Sequence, residues 1–228
     1  NFVRNGSGWC IERTNYLDMK VYRCRSIPNV RGHSSGVQFE LPECLKNKHA
    51  VLNLINIPHG GICFKYAVLA ALHYRDLPRG GSRQNARNYD QWMDSVKWDG
   101  LQFPVTASQM KTFHRHNPNL AVNMLLYLPR DDEGRDNEVP IRSIYQPDGM
   151  WEPGMKTVVS ILAVMVRHER KVECHFLPVT SINRLLNHHG KQVRGIRCER
   201  CFLPFRTETI LEEHRAACYQ GKQVTVCP

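Results

Sequence analysis

Two groups of residues in this chain have types and spacings suited to chemistry. The first centres on Cys63 in HGGICFKYAVLAALHY (residues 59–74), which follows paired glycines and opens an apolar, helix-forming run. A thiol is a poor nucleophile at neutral pH until something lowers its pKa, and a helix N-terminus does so through its dipole and free N–H groups. Gly60 and Gly61 allow close backbone approach and turn N–H groups toward an oxyanion, with those of Gly61 to Cys63 as donors and Asn56 as a further side-chain donor. The alternative role for Cys63 is that of a small buried side chain, since unpaired cysteine is among the most buried residue types. A nucleophile also needs a base. His175, in KVECHFLPV about a hundred residues downstream, is the best-placed histidine, on a strand expected to face the Cys63 helix. Glu173 projects from the same face of that strand and can orient the imidazole, with Asn183 and Asn187 as competitors and a role-free surface glutamate as the alternative.

The second group is CERCFLPFRTETILEEHRAAC (residues 198–218). Cys198, Cys201, His214 and Cys218 give the spacing C-x2-C-x12-H-x3-C, with Phe205 and Leu211 where a ββα zinc finger keeps its core. Zinc takes four tetrahedral N or S ligands, and a knuckle plus one helical turn supplies two from each side. So short a unit cannot bury enough apolar area alone, so a structural zinc ion would supply its folding energy. Base readout needs donors at helix positions −1, 3 and 6, which are Thr207, Ile210 and Glu213 here. With Glu208 and Glu212 added, the helix is repelled by phosphate, and the finger reads as structural or protein-binding. The basic stretch before it (Lys191, Arg194, Arg197, Arg200) reads as a solvated linker or as a backbone-phosphate contact.

The elements that must position these groups follow from periodicity. The opening third, including 15–23, 37–42 and a buried strand over 48–57, reads as strand-rich, and a helix spans 63–74. A second helix is expected over 85–98, an edge strand over 100–105, a third helix over 107–118 and a strand over 120–129. After a polar loop at 129–140, the strands 156–166 and 172–179 form an antiparallel pair, and a helix at 181–189 closes the domain. This order gives an α+β fold, with a main domain at 1–190 and the finger at 191–228.

With 228 residues and 42% hydrophobic content, the chain can fill one core plus a small appendage. Its start lacks the build of a signal peptide, and no apolar run reaches the roughly 18 residues of a membrane span. Nine cysteines without a regular framework fit a reducing, intracellular compartment, cytoplasm or nucleus. The formal charge of +10 is compatible with nucleic acid, an anionic surface or solubility alone.

The ordered series SGW, LPECLKNKHAVLNLINI, CFKYAVLAALHY, LQFPVTASQMKTFHRHNPNLAVNMLLY, HFLPVTSINRLL and the terminal finger resembles the region upstream of the protein-primed B-family DNA polymerase in Polinton/Maverick-type transposons. Its Cys-helix and strand-His elements look like a papain-like cysteine protease related to ovarian-tumour proteases and viral tegument-like deubiquitinases. The resemblance implies a papain-like fold and ubiquitin cleavage, with Cys63 matching the nucleophile and His175 the base. Glu173 stands where the tegument enzymes carry Asp in D-x-H, and Ser181 stands where some transposon relatives carry Asn or Asp. INIPHGGICF is a residue shorter than the transposon pattern, and no polymerase motif is present, so the chain reads as a standalone or excised fragment.

The expected protein is therefore a deubiquitinating cysteine protease with a structural zinc finger, ubiquitin as partner, and Trp92, Trp98 and Trp151 as cleft-lining or core aromatics. Two other functions fit the same residues: a protease that processes a transposon or viral polyprotein, and a nucleic-acid-binding accessory region of a polymerase whose triad has decayed.

Overall fold

The computed structural model describes residues 39–58, 61–127, 141–147, 157–168, 171–186 and 195–218, with the side chains of 142, 166–168, 171–173 and 217 left aside. Apolar runs at β-period and helical period fold into a mixed α+β unit around one four-stranded sheet. Its strands are β1 (Leu120–Tyr127), β2 (Ile141–Tyr145), β3 (Thr157–His168) and β4 (Lys171–Pro178), in the order β2-β1-β3-β4. β1 and β3 are parallel and pair in register from Leu120↔Thr157 to Tyr127↔Val164. β2 is antiparallel to β1, with an irregularity between Met124 and Leu125, and β4 is antiparallel to β3.

Both faces of this sheet are buried, which is why its strands read as nearly continuous apolar runs. One face presents Val122, Met124, Ile161, Ala163, Cys174 and Phe176 to the helix α2 (Cys63–His73) and to the helical stretches that follow it. Phe64 is the centre of that core, edge-on to Phe113 at 5.8 Å and to Phe176 at 5.5 Å between ring centroids. The other face presents Leu125, Leu162, Val164 and Leu177 to Phe39, to the short helix α1 (Glu43–Lys46) through Leu45, and to α5 (Ile182–Leu186) through Leu185. Phe202, from the cysteine-rich segment, also packs into this second core.

The expected strand over 48–57 forms only two isolated bridges, Val51↔Val179 and Ile55↔Asn85. Asn56 takes a φ of +60°, which ends any extended run, and Asn53 turns its side chain back onto the Phe39 carbonyl at 2.6 Å. The expected helix over 85–98 is a 3-10 helix, Ala86–Ser95, preceded by α3 (Gly81–Gln84). The third helix is a 3-10 turn, Ala107–Gln109, running into α4 (Met110–His116). Residues 100–105 form no strand, and β2 was not foreseen. The expected strand at 15–23, the loop at 129–140 and residues 187–189 of the closing helix lie outside the described residues, as do Lys191 and Arg194.

Candidate metal centre and thiol site

The quartet foreseen from spacing converges. β5 (Ile196–Arg197) and β6 (Pro204–Phe205) form a small antiparallel hairpin, and α6 (Glu208–Cys218) folds back over it. A Cβ on Gly195 would lie 2.7 Å from the Phe205 carbonyl oxygen, so the hairpin closes only because that side chain is missing. The knuckle is set by hydrogen bonds from Cys198 N–H to Leu203 O (3.0 Å) and from Phe202 N–H to Cys198 O (2.9 Å), with Phe202 in the left-handed region at φ +63°. His214 and Cys218, one helical turn apart, lie on one face of α6. Leu211, fully buried, and Phe205 fill the space beneath, and the Phe205 ring lies 4.4 Å from that of His214. Arg215 ties the helix to the knuckle through Glu199, at 3.0 Å.

The ligand atoms of Cys198, Cys201, His214 and Cys218 all lie within 4.8 Å of one another, and Cys201 Sγ is 3.1 Å from His214 Nε2. Donors of a tetrahedral zinc site sit roughly 3.5–3.8 Å apart, given bonds of about 2.3 Å to sulfur and 2.0–2.1 Å to nitrogen. The thiols behave as a set that needs a cation. Hydrogen bonds from Cys201 and Cys218 pull Cys198 far below the ordinary thiol range, while the bond to Cys198 pushes Cys201 up to about 11 and Cys218 higher still. Only one thiolate is comfortable without added positive charge, and a divalent ion such as zinc, which these residues fit, would hold all three. On the finger's helix, Ile210 is an exposed large apolar residue, and Thr207 and Glu213 are also exposed.

Cys63 is the first residue of α2, entered through Gly61 at φ +72°, a backbone conformation that favours glycine. The side chain is 3% exposed and sits in the first core with Cys174 and Phe176. Burial pushes its thiol up to about 11, against the N–H groups of Phe176, Phe64 and Cys63 itself, which pull the other way. Desolvation, then the nearby Cys63 sulfur, also raises Cys174. His175 lies on β4 as expected and is 5% exposed. Strand alternation directs it away from the face of Cys174 and Phe176. Its ring stacks on Phe39 at 4.6 Å and 16°, against the second core. The fold thus brings Cys63 to the strand that carries His175, with thiol and imidazole on opposite faces of it.

The remaining expected site residues are spread around this strand. Glu173 opposes Val166 in the β3–β4 register, and its side chain lies outside the described residues. Asn56 is exposed, and its Nδ2 donates to Asn85 Oδ1 at 3.3 Å. Ser181 accepts the Arg184 N–H at 3.3 Å and so caps α5. Gly60, Asn187 and Trp151 lie outside the described residues. Trp98 packs on Phe64 and Phe113, and Trp92 stacks on His73 at 4.4 Å. A cavity of about 300 Å³ opens at the far end of α2, between Leu72, Arg75, Val158, Thr180, Glu199 and Phe202. At 1.5 Å per residue this is roughly 13 Å along the helix from Cys63. Among the described residues no helix is long and apolar enough to cross a membrane.

A scan against protein-family models, a search of curated proteins and a search of solved structures each found no match for this chain.

Proposed function

We propose that this chain is a thiol hydrolase of the papain-like kind, specifically a deubiquitinase, with a structural zinc centre. The supporting observation is the position of Cys63: first residue of an 11-residue helix, its sulfur facing the N–H groups of Phe64 and Phe176, on the strand that carries His175. In the proposed reaction His175 takes the Cys63 thiol proton, and the resulting thiolate attacks the carbonyl of ubiquitin's C-terminal glycine. The N–H groups of Gly61 to Cys63 hold the oxyanion, and His175, oriented by Glu173, protonates the departing lysine amine. His175 then takes a proton from the water that hydrolyses the thioester. Zinc, when bound, supplies folding energy to the Cys198–Cys218 unit and takes no part in the chemistry. The resting thiol is neutral and shielded, so the reading requires a substrate-linked step in which the imidazole leaves Phe39 and comes round to the thiol.

A second reading, a non-catalytic binding module, is favoured by the stacking of His175 on Phe39, away from the thiol. The +10 charge would then make nucleic acid the natural ligand.

Incubation with ubiquitin bearing a C-terminal thiol-reactive warhead separates the two. A gain of one ubiquitin mass that vanishes in Cys63→Ala and slows in His175→Ala supports the hydrolase. No adduct with folded, zinc-loaded protein refutes it as a deubiquitinase. Cys63-dependent self-cleavage would then indicate polyprotein processing. Salt-sensitive DNA binding indifferent to Cys63→Ala would indicate the binding module.

A further inference from the structure

Asn123 is an exception within LAVNMLLY, a carboxamide with no exposure in the middle of β1. On its face of the strand the neighbours Leu125 and Tyr127 belong to the second core, so an amide here needs a specific partner. Its Nδ2 donates to the carbonyl of Glu199 at 2.8 Å, across 76 residues. Gln146, just beyond β2, donates its Nε2 to the carbonyl of Arg200 at 2.6 Å, across 54 residues. Glu199 and Arg200 are the two residues between Cys198 and Cys201.

The same two peptide units face the metal ligands with their other ends. The N–H groups of Arg200 and Cys201 point at the Cys198 sulfur. The Glu199 carbonyl and the Arg200 N–H belong to one peptide plane, and the Arg200 carbonyl and the Cys201 N–H to the next. In a trans peptide the C=O and N–H point in opposite directions. Each plane is therefore gripped by a sheet-domain amide at its oxygen and presents its hydrogen to the sulfur.

We infer that Asn123 and Gln146 are positioning residues of the metal centre, so that metal binding at Cys198, Cys201, His214 and Cys218 and the folding of the sheet domain form one linked equilibrium. Partners of this outer kind fix ligand geometry, and their loss typically weakens metal binding about 10–100-fold. The finger is then a wall of the main domain, in keeping with the packing of Phe202 into the second core and with Glu199 and Phe202 lining the cavity beside α2. The inference stands whether or not Cys63 is a nucleophile.

The test is zinc affinity of the full chain, by competition with a chromogenic chelator, for wild type, Asn123→Ala, Gln146→Ala and the exposed β2 control Ser143→Ala. Hydrogen exchange of the β1 segment is followed with zinc bound and after chelation. The expected result is about 10–100-fold weaker zinc binding in the first two variants, an unchanged control, and faster exchange in β1 when zinc is removed. Should Asn123→Ala fail to fold, the half-buried Gln146→Ala decides alone. Zinc affinity within twofold of wild type in Gln146→Ala, or β1 exchange indifferent to zinc, overturns the inference.

Discussion

The Cys63 thiol offers a sharp test of the physical argument through its reactivity as a function of pH. An ordinary thiol with a pKa near 9.0 and the buried one at about 11 differ by two decades in thiolate fraction at any pH below 9. Since the thiolate is the nucleophile, alkylation of native Cys63 by iodoacetamide at pH 7 should run about 100-fold slower than in the unfolded chain, before any steric shielding is counted. The rate should climb about tenfold per pH unit from 7 to 10 with no plateau in that range. The same difference bears on stability. The native state keeps its proton up to about pH 11 while the unfolded chain loses it near pH 9.0, so between these values the native state binds more protons. The stabilisation is fully present below pH 9 and lost as pH rises to 11, by about 1.4 kcal/mol per unit and roughly 3 kcal/mol in all. Alkylation resolved by peptide mass across pH 6–10, native against denatured, measures this directly. A rate that levels off below pH 7, or one matching the denatured chain, would refute the neutral buried thiol and reveal one already activated at rest.

Two further outcomes follow from the described geometry. Phe64 is fully buried among Trp98, Phe113 and Phe176, so Phe64→Ala should cost about 3–5 kcal/mol in a denaturant melt, and a loss below 1 kcal/mol would mean that this core is not packed as described. His114 accepts the Val122 N–H on Nε2 at 2.9 Å while Nδ1 meets the Tyr145 hydroxyl at 3.0 Å, and Val122 is fully buried. His114→Ala would leave that N–H unpaired, so it should cost about 1–3 kcal/mol in a denaturant melt, and an unchanged melt would contradict this.

How much was legible in the residues depended on whether a signal was local. The metal quartet is written in spacing alone, because a knuckle and a helical turn each fix two ligands within a few residues of one another. Helix α2 and the β3–β4 pair were equally plain, from helical period and from two apolar runs joined by a charged turn. The relation of Cys63 to His175 was not legible. In VECHFLPV alternation can assign inward and outward faces only if one face is wet, and here Phe176 and Leu177 are both fully buried. The sheet is covered on both sides, so period two carries no information about which side holds the thiol. β2 was missed because IRSIY is short and half polar, pairing only as an edge. The lone Asn in LAVNMLLY was visible as an oddity, but its partner lay 76 residues away, beyond any periodic argument.

The failed strand at 48–57 has a consequence for the behaviour of the chain in concentrated solution. β4 is an edge strand, and an edge with free N–H and C=O groups is a template for another molecule's strand. Here that template is spoiled at its C-terminal end. The Leu52 N–H reaches the Pro178 carbonyl at 3.1 Å, the Thr180 N–H reaches the Ala50 carbonyl at 2.8 Å, and the Phe176 N–H is directed at the Cys63 sulfur. Pro178 itself offers no donor. A segment too irregular to count as a strand, together with one thiol, thus guards the C-terminal end of β4 against edge-to-edge pairing between copies.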